Sequence, residues 1–407
     1  MTVLNDYHHF SGRHYETGTV ANILAYQGVT APHTGQPLSE ALLLGVSGGI
    51  AFGYFTFEYQ GYRPHLILLP RYTFDPLETL FDRLAIPRDV QQTANPEKGQ
   101  QNLLDVLERG QPALVWLDKF SLPYMQLPYD ERNWRIEPVV VFGLEGDQVY
   151  LADRSNRPLT VPLDAFTQAR ARVKQDKFRV VALDPPDMDR LPAAVQKGIW
   201  QCISLFTDKP PKGKKENFGF AAYSYWADML TNTRNKQGWT RYFPPGERLY
   251  AALAGDIVQP GGFDWINSWG AGAGMERGLY ADFLDEAALL LGKPALAESS
   301  ALFRNAADAW NTLANVLLPD DVPLLKETRE LKQRKQALFL ERGDDAFDDI
   351  AHINRRLEAL RLSAAADFPM TEAEAAAFYA GLAQHVRAIA TVERRAVDAL
   401  QAAMTGS

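Results

Sequence analysis

The amino-acid sequence predicts an α+β region followed by a mainly α-helical one. Three observations carry that prediction. Five strand-like runs, "PALVWLD", "EPVVVFGLEG", "QVYLADR", "PLTVPL" and "FRVVALD", follow one another with a single helical stretch among them. Helical patterns come before this series instead of alternating with it, which argues against a doubly wound sheet. Beyond residue 216 the apolar residues recur at helical spacing.

From the N-terminus, Thr17 to Tyr26 reads as a short helix with Val20, Ile23 and Leu24 on one face. "PLSEALLLG" is a second helix, with Gly45 placed as its C-cap. "HLILLP" is a short buried strand. "DPLETLFDRLAI" is amphipathic, with Leu77, Leu80, Phe81 and Leu84 in register. "GQQNLLDVLERG" is helical and Gly110 is placed to stop it. In the strand series "EGDQ" marks a hairpin, and "LDAFTQARARV" is the interrupting helix. Prolines and charges in "DPPDMDRLP" and "DKPPKGKKEN" flank one short apolar helix, so a boundary is expected there. The expected division is a domain over 1–185, a linker over 186–216 and a helical domain over 217–407. In the last part, "FAAYSYWADMLTN" and "RGLYADFLDEAALLLG" are amphipathic helices. Pro323 to Leu362 is a long helical pattern that "GDD" at Gly343 breaks into a hairpin. Thr371 with Glu374 forms a capping box opening a final helix, with Phe378, Leu382, Val386, Ile389 and Leu400 as its buried stripe.

The bulk numbers set limits. A chain of 407 residues is long enough for two cores. The net charge of −8 has its Lys and Arg dispersed, which speaks against a nucleic-acid partner. The basic run "KPPKGKK", Lys209 to Lys215, reads as a solvated linker. Cys202 is the single cysteine, too few for an internal disulfide, as in a cytoplasmic protein. No secretory signal pattern opens the chain. No apolar run reaches the ~20 residues that span a bilayer, so no membrane partner is expected.

The stretch "HYETGTVANILAYQG…LSEALLLGVSGGIAFGYF" resembles the N-terminal domain family of butirosin biosynthesis protein H, whose members usually read His-Cys-Glu-Thr where this chain reads "HYET". The Ser39–Glu40 pair and the glycine-rich run from Gly45 to Tyr54 continue the pattern. "EPVVVFGLEGDQVYLADRSNRPLTVPLDAFTQARA" resembles the second half of that domain. "GMERGLYADFLDEAALLLG" and "AADAWNTLAN" resemble the helical domain of unknown function that commonly follows it. The resemblance implies a papain-like N-terminal fold, as in bacteriocin-leader peptidases. It further implies natural-product biosynthesis, with an acyl or aminoacyl unit moved from a carrier-protein thioester to an amine. The implied partners are a small-molecule or peptide substrate and an acyl carrier protein. Whether a cofactor is used stays open.

Carried over residue by residue, the family's nucleophilic Cys falls on Tyr15, its His on Glu137 and its Asp on Asp153. A phenol with an ordinary pKa of ~10 beside two carboxylates is a poor nucleophile at neutral pH. Two readings follow. One is an acyltransferase acting by direct transfer, with Glu137 or Asp153 as general base to an amine. The other is a non-catalytic relative that binds a peptide, carrier protein or small molecule. Either needs Tyr15, Glu137 and Asp153 to converge within ~6 Å, the range over which charges shift one another.

Other residues are weighed on their own chemistry. Gly45 to Gly49 matches the G-x-S-x-G nucleophile elbow around Ser47, but a helix precedes it where a strand is required; a glycine turn is the commoner outcome. Cys202 sits in an apolar helix and reads as a buried thiol. His8, His9 and His14 crowd the N-terminus. His14 with Glu16, Glu137 and Asp153 would suit zinc, iron or manganese, whereas a loop histidine bonded to a carboxylate is the plainer alternative. "DWINSWGAGAGMERG" approaches a helix start where Arg277 would assist an anion. A structural loop is the commoner case, since the spacing matches no phosphate fingerprint. Arg71 and Asp118 end or follow buried strands, where they would face a ligand or cap a loop. Tyr223, Tyr225, Trp226, Trp239, Tyr242, Phe243, Trp265 and Trp269 form an aromatic cluster, mostly bundle core, with some members expected to line a ligand cleft.

Overall fold

The computed structural model describes residues 2–60, 62–208, 210, 213–267 and 274–406. Lys209, Pro211 and Lys212 of the basic run, and Ser268 to Ala273 of the glycine-rich run with Trp269, lie outside the described residues.

In chain order the elements are β1 (Thr2–Val3), α1 (Thr17–Tyr26), α2 (Glu40–Val46), β2 (Gly53–Phe57), β3 (His65–Leu69), α3 (Pro76–Arg83), β4 (Arg88–Gln91) and α4 (Pro96–Glu108). Next come β5 (Ala113–Asp118), β6 (Ile136–Glu145), β7 (Gln148–Ala152), β8 (Leu159–Pro162), α5 (Leu163–Ala171) and β9 (Val180–Leu183). The remainder is helical: α6 (Leu191–Thr207), α7 (Gly219–Thr231), α8 (Trp239–Tyr242), α9 (Glu247–Ala254), α10 (Gly262–Asn267), α11 (Arg277–Leu291), α12 (Ala295–Leu317), α13 (Pro323–Arg342), α14 (Phe347–Ala366) and α15 (Glu372–Thr405). The α+β class is therefore as the sequence indicates.

The chain forms two compact units, each made of three separate stretches of sequence. One holds residues 1–43, 80–191 and 333–354; the other holds 44–79, 192–332 and 355–407. These differ from the contiguous division drawn at 185 and 216. The stretch expected to be a linker contains the seventeen-residue α6, which buries Val195, Ile199, Cys202 and Phe206 in the second unit. Pro192 stands in its first turn, where a proline costs no helical hydrogen bond.

The first unit is built on an antiparallel sheet in the order β4-β9-β5-β6-β7-β8, with β1 paired to β6. Central β6 is buried from Glu137 to Leu144 and reads as one apolar run, as a strand covered on both faces must. The hairpin to β7 turns at Gly146, whose φ of 60° suits glycine. The edge strands β1 and β4 were not legible in the sequence. One has two residues, and the other, "RDVQ", is polar.

In the second unit the hairpin β2–β3 stands with the helices. Phe52 stacks on Tyr223 at 4.1 Å, and Trp239 donates from its indole N–H to the Tyr54 hydroxyl at 3.0 Å. Trp226, Trp239, Tyr223 and Phe243 are fully buried core, while Tyr225, Tyr242 and Trp265 are half-buried. Gly45 is not the helix stop expected of it. Helix α2 runs on to Val46, and the turn falls at Gly48 and Gly49, with φ of 115° and 68°. Gly45 is needed because a β-carbon there would lie 2.3 Å from the Phe283 ring.

A buried ion pair ties this unit together. Arg277 and Glu393 both have fully buried side chains and meet at 2.6 Å. Glu393 also accepts from the Trp310 indole at 2.7 Å and the Tyr223 hydroxyl at 2.5 Å. The guanidinium spends its other N–H groups on the carbonyls of Ala51 and Met275, each at 2.6 Å. Burial favours loss of its proton, but the Glu393 charge outweighs this and raises its pKa. Thr371 and Glu374 form the expected capping box at the start of α15.

Removing one member of such a pair leaves a buried charge uncompensated. Arg277→Met and Glu393→Gln are each expected to destabilise the protein by about 3–5 kcal/mol. The double change Arg277→Met with Glu393→Leu should recover a good part of that in urea unfolding. A double variant no more stable than either single one would show that the pair is not the dominant contribution.

Candidate functional site

The site begins at the loop before α1. Glu40 accepts the backbone N–H groups of Arg13 at 2.7 Å and His14 at 2.8 Å, and Asn22 accepts that of Gly12 at 3.0 Å. Gly12 and Gly18 approach so closely that a β-carbon on Gly12 would sit 2.2 Å from the Gly18 carbonyl oxygen. The "HYET" loop is thereby fixed from both sides. His14 is fully buried, and its Nδ1 accepts the Thr17 backbone N–H at 3.1 Å, so it serves as an acceptor at the head of α1. Its ring lies 4.7 Å from that of Tyr15. Tyr15 itself is half-buried in the turn ahead of Glu16, the N-cap residue of α1.

Antiparallel pairing supplies the rest. Leu117 of β5 pairs with Glu137 of β6, and Val140 of β6 with Ala152 of β7. The end of β5, the start of β6 and the end of β7 therefore meet, bringing Lys119, Arg135, Glu137, Asp153 and Arg154 together. Arg135 ion-pairs with Glu137. Arg154 bridges the two carboxylates, 3.2 Å from Glu137 and 3.4 Å from Asp153. Asp153 also pairs with the buried ammonium of Lys119 and accepts from the Tyr124 hydroxyl at 2.6 Å. Arg154 holds a left-handed φ of 57°, an uncommon conformation for a side chain of its size. The segment 333–354 supports this loop. The Leu340 carbonyl takes the Asn156 N–H at 2.8 Å, and Asp344 takes that of Thr160 at 2.6 Å.

The electrostatics follow from burial. Burial alone would raise the Glu137 pKa, but Arg135, Arg154 and Lys119 together lower it below the usual 4.5. Lys119 is pushed well down by burial and then by Arg154 and Arg135, against the pull of Glu137. Burial lowers Arg135 to about 10, with the Glu137 charge and, at a smaller level, Tyr15 acting to raise it. Tyr15 thus belongs electrostatically to this group. The guanidinium groups of Arg135 and Arg154 face the two carboxylates here, so the phenol expected beside two carboxylates also stands beside their cationic partners.

Residues 14–154 match the family model described as butirosin biosynthesis protein H, N-terminal. Residues 261–332 match a second model, domain of unknown function (DUF4872), so the two domains follow one another in the expected order. Among curated proteins, none matches. The butirosin biosynthesis protein H match opens on His14 and closes on Arg154, the two ends of the group just described. It also includes 44–79, residues that pack with the second unit.

The remaining candidates are placed as follows. Asp118 is fully buried and accepts from Arg135 N–H at 2.8 Å, Ser121 at 2.6 Å and Arg172 at 3.1 Å, so it organises the β5–β6 connection. Arg71 is buried and donates to the Ser47 hydroxyl at 2.9 Å. Ser47 in turn donates to the Leu44 carbonyl at 2.9 Å, which removes it as an elbow nucleophile. Arg277 is consumed in the Glu393 network, and neither it nor Arg71 belongs to the unit that carries Tyr15. Cys202 is buried, donates to the Ile50 carbonyl, and is pushed up to about 11 by burial. His9 packs edgewise on Tyr7 and Tyr26. Among the described residues no three His, Cys, Asp or Glu side chains are arranged to hold a metal, and Glu137 and Asp153 take arginine and lysine instead. No described helix is long and apolar enough to cross a membrane. Arg135, Arg154, Lys119 and Tyr124 were not singled out from the sequence. The readable signal was "RIE", which puts Arg135 on the same face as Glu137 two residues on.

Glu137 titrates lower in the folded state than its ordinary 4.5. Its stabilisation is complete above that value and is lost as pH falls through the folded pKa. Glu137→Gln should destabilise by about 3–5 kcal/mol at pH 7, and its unfolding should depend less on pH below about 4.5 than that of the wild type. Parallel wild-type and variant curves in acid would contradict this assignment.

Proposed function

We propose that the first unit keeps a papain-like layout and that the chain is a non-catalytic member of its family. In this reading it is a protein of natural-product biosynthesis that holds an acyl or peptide ligand at Tyr15 without turning it over. The observation that carries the reading is the state of Glu137. The residue standing where the family has its imidazole is a carboxylate clamped between Arg135 and Arg154. A carboxylate whose pKa is driven down is a weaker base toward an amine or a phenol. Asp153 is committed to Lys119 and Tyr124 in the same way. The guanidinium donors of Arg135 and Arg154 favour a ligand that presents carbonyl or anionic oxygen near Tyr15.

The test is to incubate the purified chain with a panel of acyl-pantetheine thioesters and amines, following intact mass and amide product. The expected result is no adduct and amide at the uncatalysed rate, the same for wild type, Tyr15→Phe and Glu137→Gln. Thioester binding should still raise the melting temperature of the wild type, and Tyr15→Phe should reduce that rise. Amide formation by the wild type that falls a hundredfold or more in a Glu137→Gln variant shown by its melting transition to remain folded would instead establish direct acyl transfer with Glu137 as base.

A further inference from the structure

A cavity of about 640 Å³ opens in the second unit, within the size range of small-molecule sites. It lies between the last turn of α12, the connection to α13, the turn before α15 and the first turns of α15. Its apolar wall is Val316, Pro319, Val322, Pro369, Met370 and Phe378, and the rest of the lining is polar or charged, Thr312 and Asn315 included. Phe378 stands on the helical stripe expected to be core, yet it is only half-buried because it faces this space.

Charge at the cavity is predominantly negative. Asp320, Asp321 and Glu374 line it against a single cation, Arg329. Arg329 is already committed, 2.5 Å from Asp320 and 2.7 Å from the Leu318 carbonyl. Glu374 accepts the backbone N–H and hydroxyl of Thr371, each at 2.8 Å, and these bonds hold its carboxyl below the usual range. With Arg329 paired to Asp320, the Asp321 and Glu374 carboxylates remain beside the apolar wall and its one aromatic ring.

We propose that this cavity binds a small organic ammonium with an apolar body. The body fills the space between Val316, Pro369 and Met370. The cation meets Asp321 and Glu374, with the Phe378 ring available to it as a cation–π face. Lined by the end of the DUF4872 match and by α15, which lies beyond both family matches, the site is separate from the group around Tyr15 and does not rest on the function proposed there.

Calorimetric titration of the full chain with 2-phenylethylamine, 2-phenylethanol and phenylacetate tests this. The amine should bind at least tenfold more tightly than the alcohol, and phenylacetate more weakly than either. Asp321→Asn combined with Glu374→Gln should cost the amine tenfold or more while leaving the alcohol unchanged. The Glu374→Gln side chain can still accept from Thr371, so the melting temperature serves as a check that α15 remains capped. Phe378→Leu should lower amine affinity several-fold. Equal binding of the three probes, no saturable binding of the amine, or an amine affinity indifferent to the double change would each overturn the proposal.

Discussion

A carboxylate taken out of water must be met by a cation, or it does not stay ionised there. Glu393 imposes that demand on the second unit. Its partner Arg277 comes from the first turn of α11, and the same guanidinium binds the carbonyl of Ala51, far away in sequence. The indole of Trp310 and the hydroxyl of Tyr223 complete the shell from α12 and α7. One buried acid on α15 thus gathers three other helices and an N-terminal segment. This gives a physical reason for residues 44–79 to pack with the helices instead of with the sheet that their family match would assign them to.

The same demand shapes the candidate site. Glu137 brings a full negative charge into a position that is 4% exposed. Arg135 and Arg154 answer it, and Lys119 pairs with Asp153. The result is a lattice of opposite charges. An acid–base catalyst needs a group that can change its protonation near neutral pH, whereas a carboxylate held between two guanidinium groups is fixed in one state. Tyr15 keeps its place at the head of α1 because the Glu40 and Asn22 bonds to the loop involve backbone atoms, which the side chain at position 15 does not alter.

Support for this lattice comes from a distant part of the chain. The tip of the α13–α14 hairpin contributes Leu340, Asp344 and Asn354 to the first unit. Asn354 donates to the Gln126 carbonyl at 2.8 Å, and Gly343 lies against Ser155 in the loop after β7. The left-handed backbone of Arg154 is held in a loop braced on that side. Stability of the site and of the helical hairpin are therefore linked.

The sequence by itself determined the local elements. Thr17 to Tyr26, the β6–β7 hairpin at Gly146 and the capping box at Thr371 lie where periodicity and turn chemistry put them, because each depends on residues within a few positions of one another. The "HYET" and "EPVVVFG" patterns also carry the resemblance on which Tyr15 and Glu137 were singled out. Only the tertiary structure decided that Glu137 meets Arg154, that Gly45 is required by the Phe283 ring, and that Phe378 faces a cavity. Those outcomes turn on strand register and on helix packing between residues remote in sequence. Charge compensation and close approach are properties of such meetings, and the composition of a segment does not carry them.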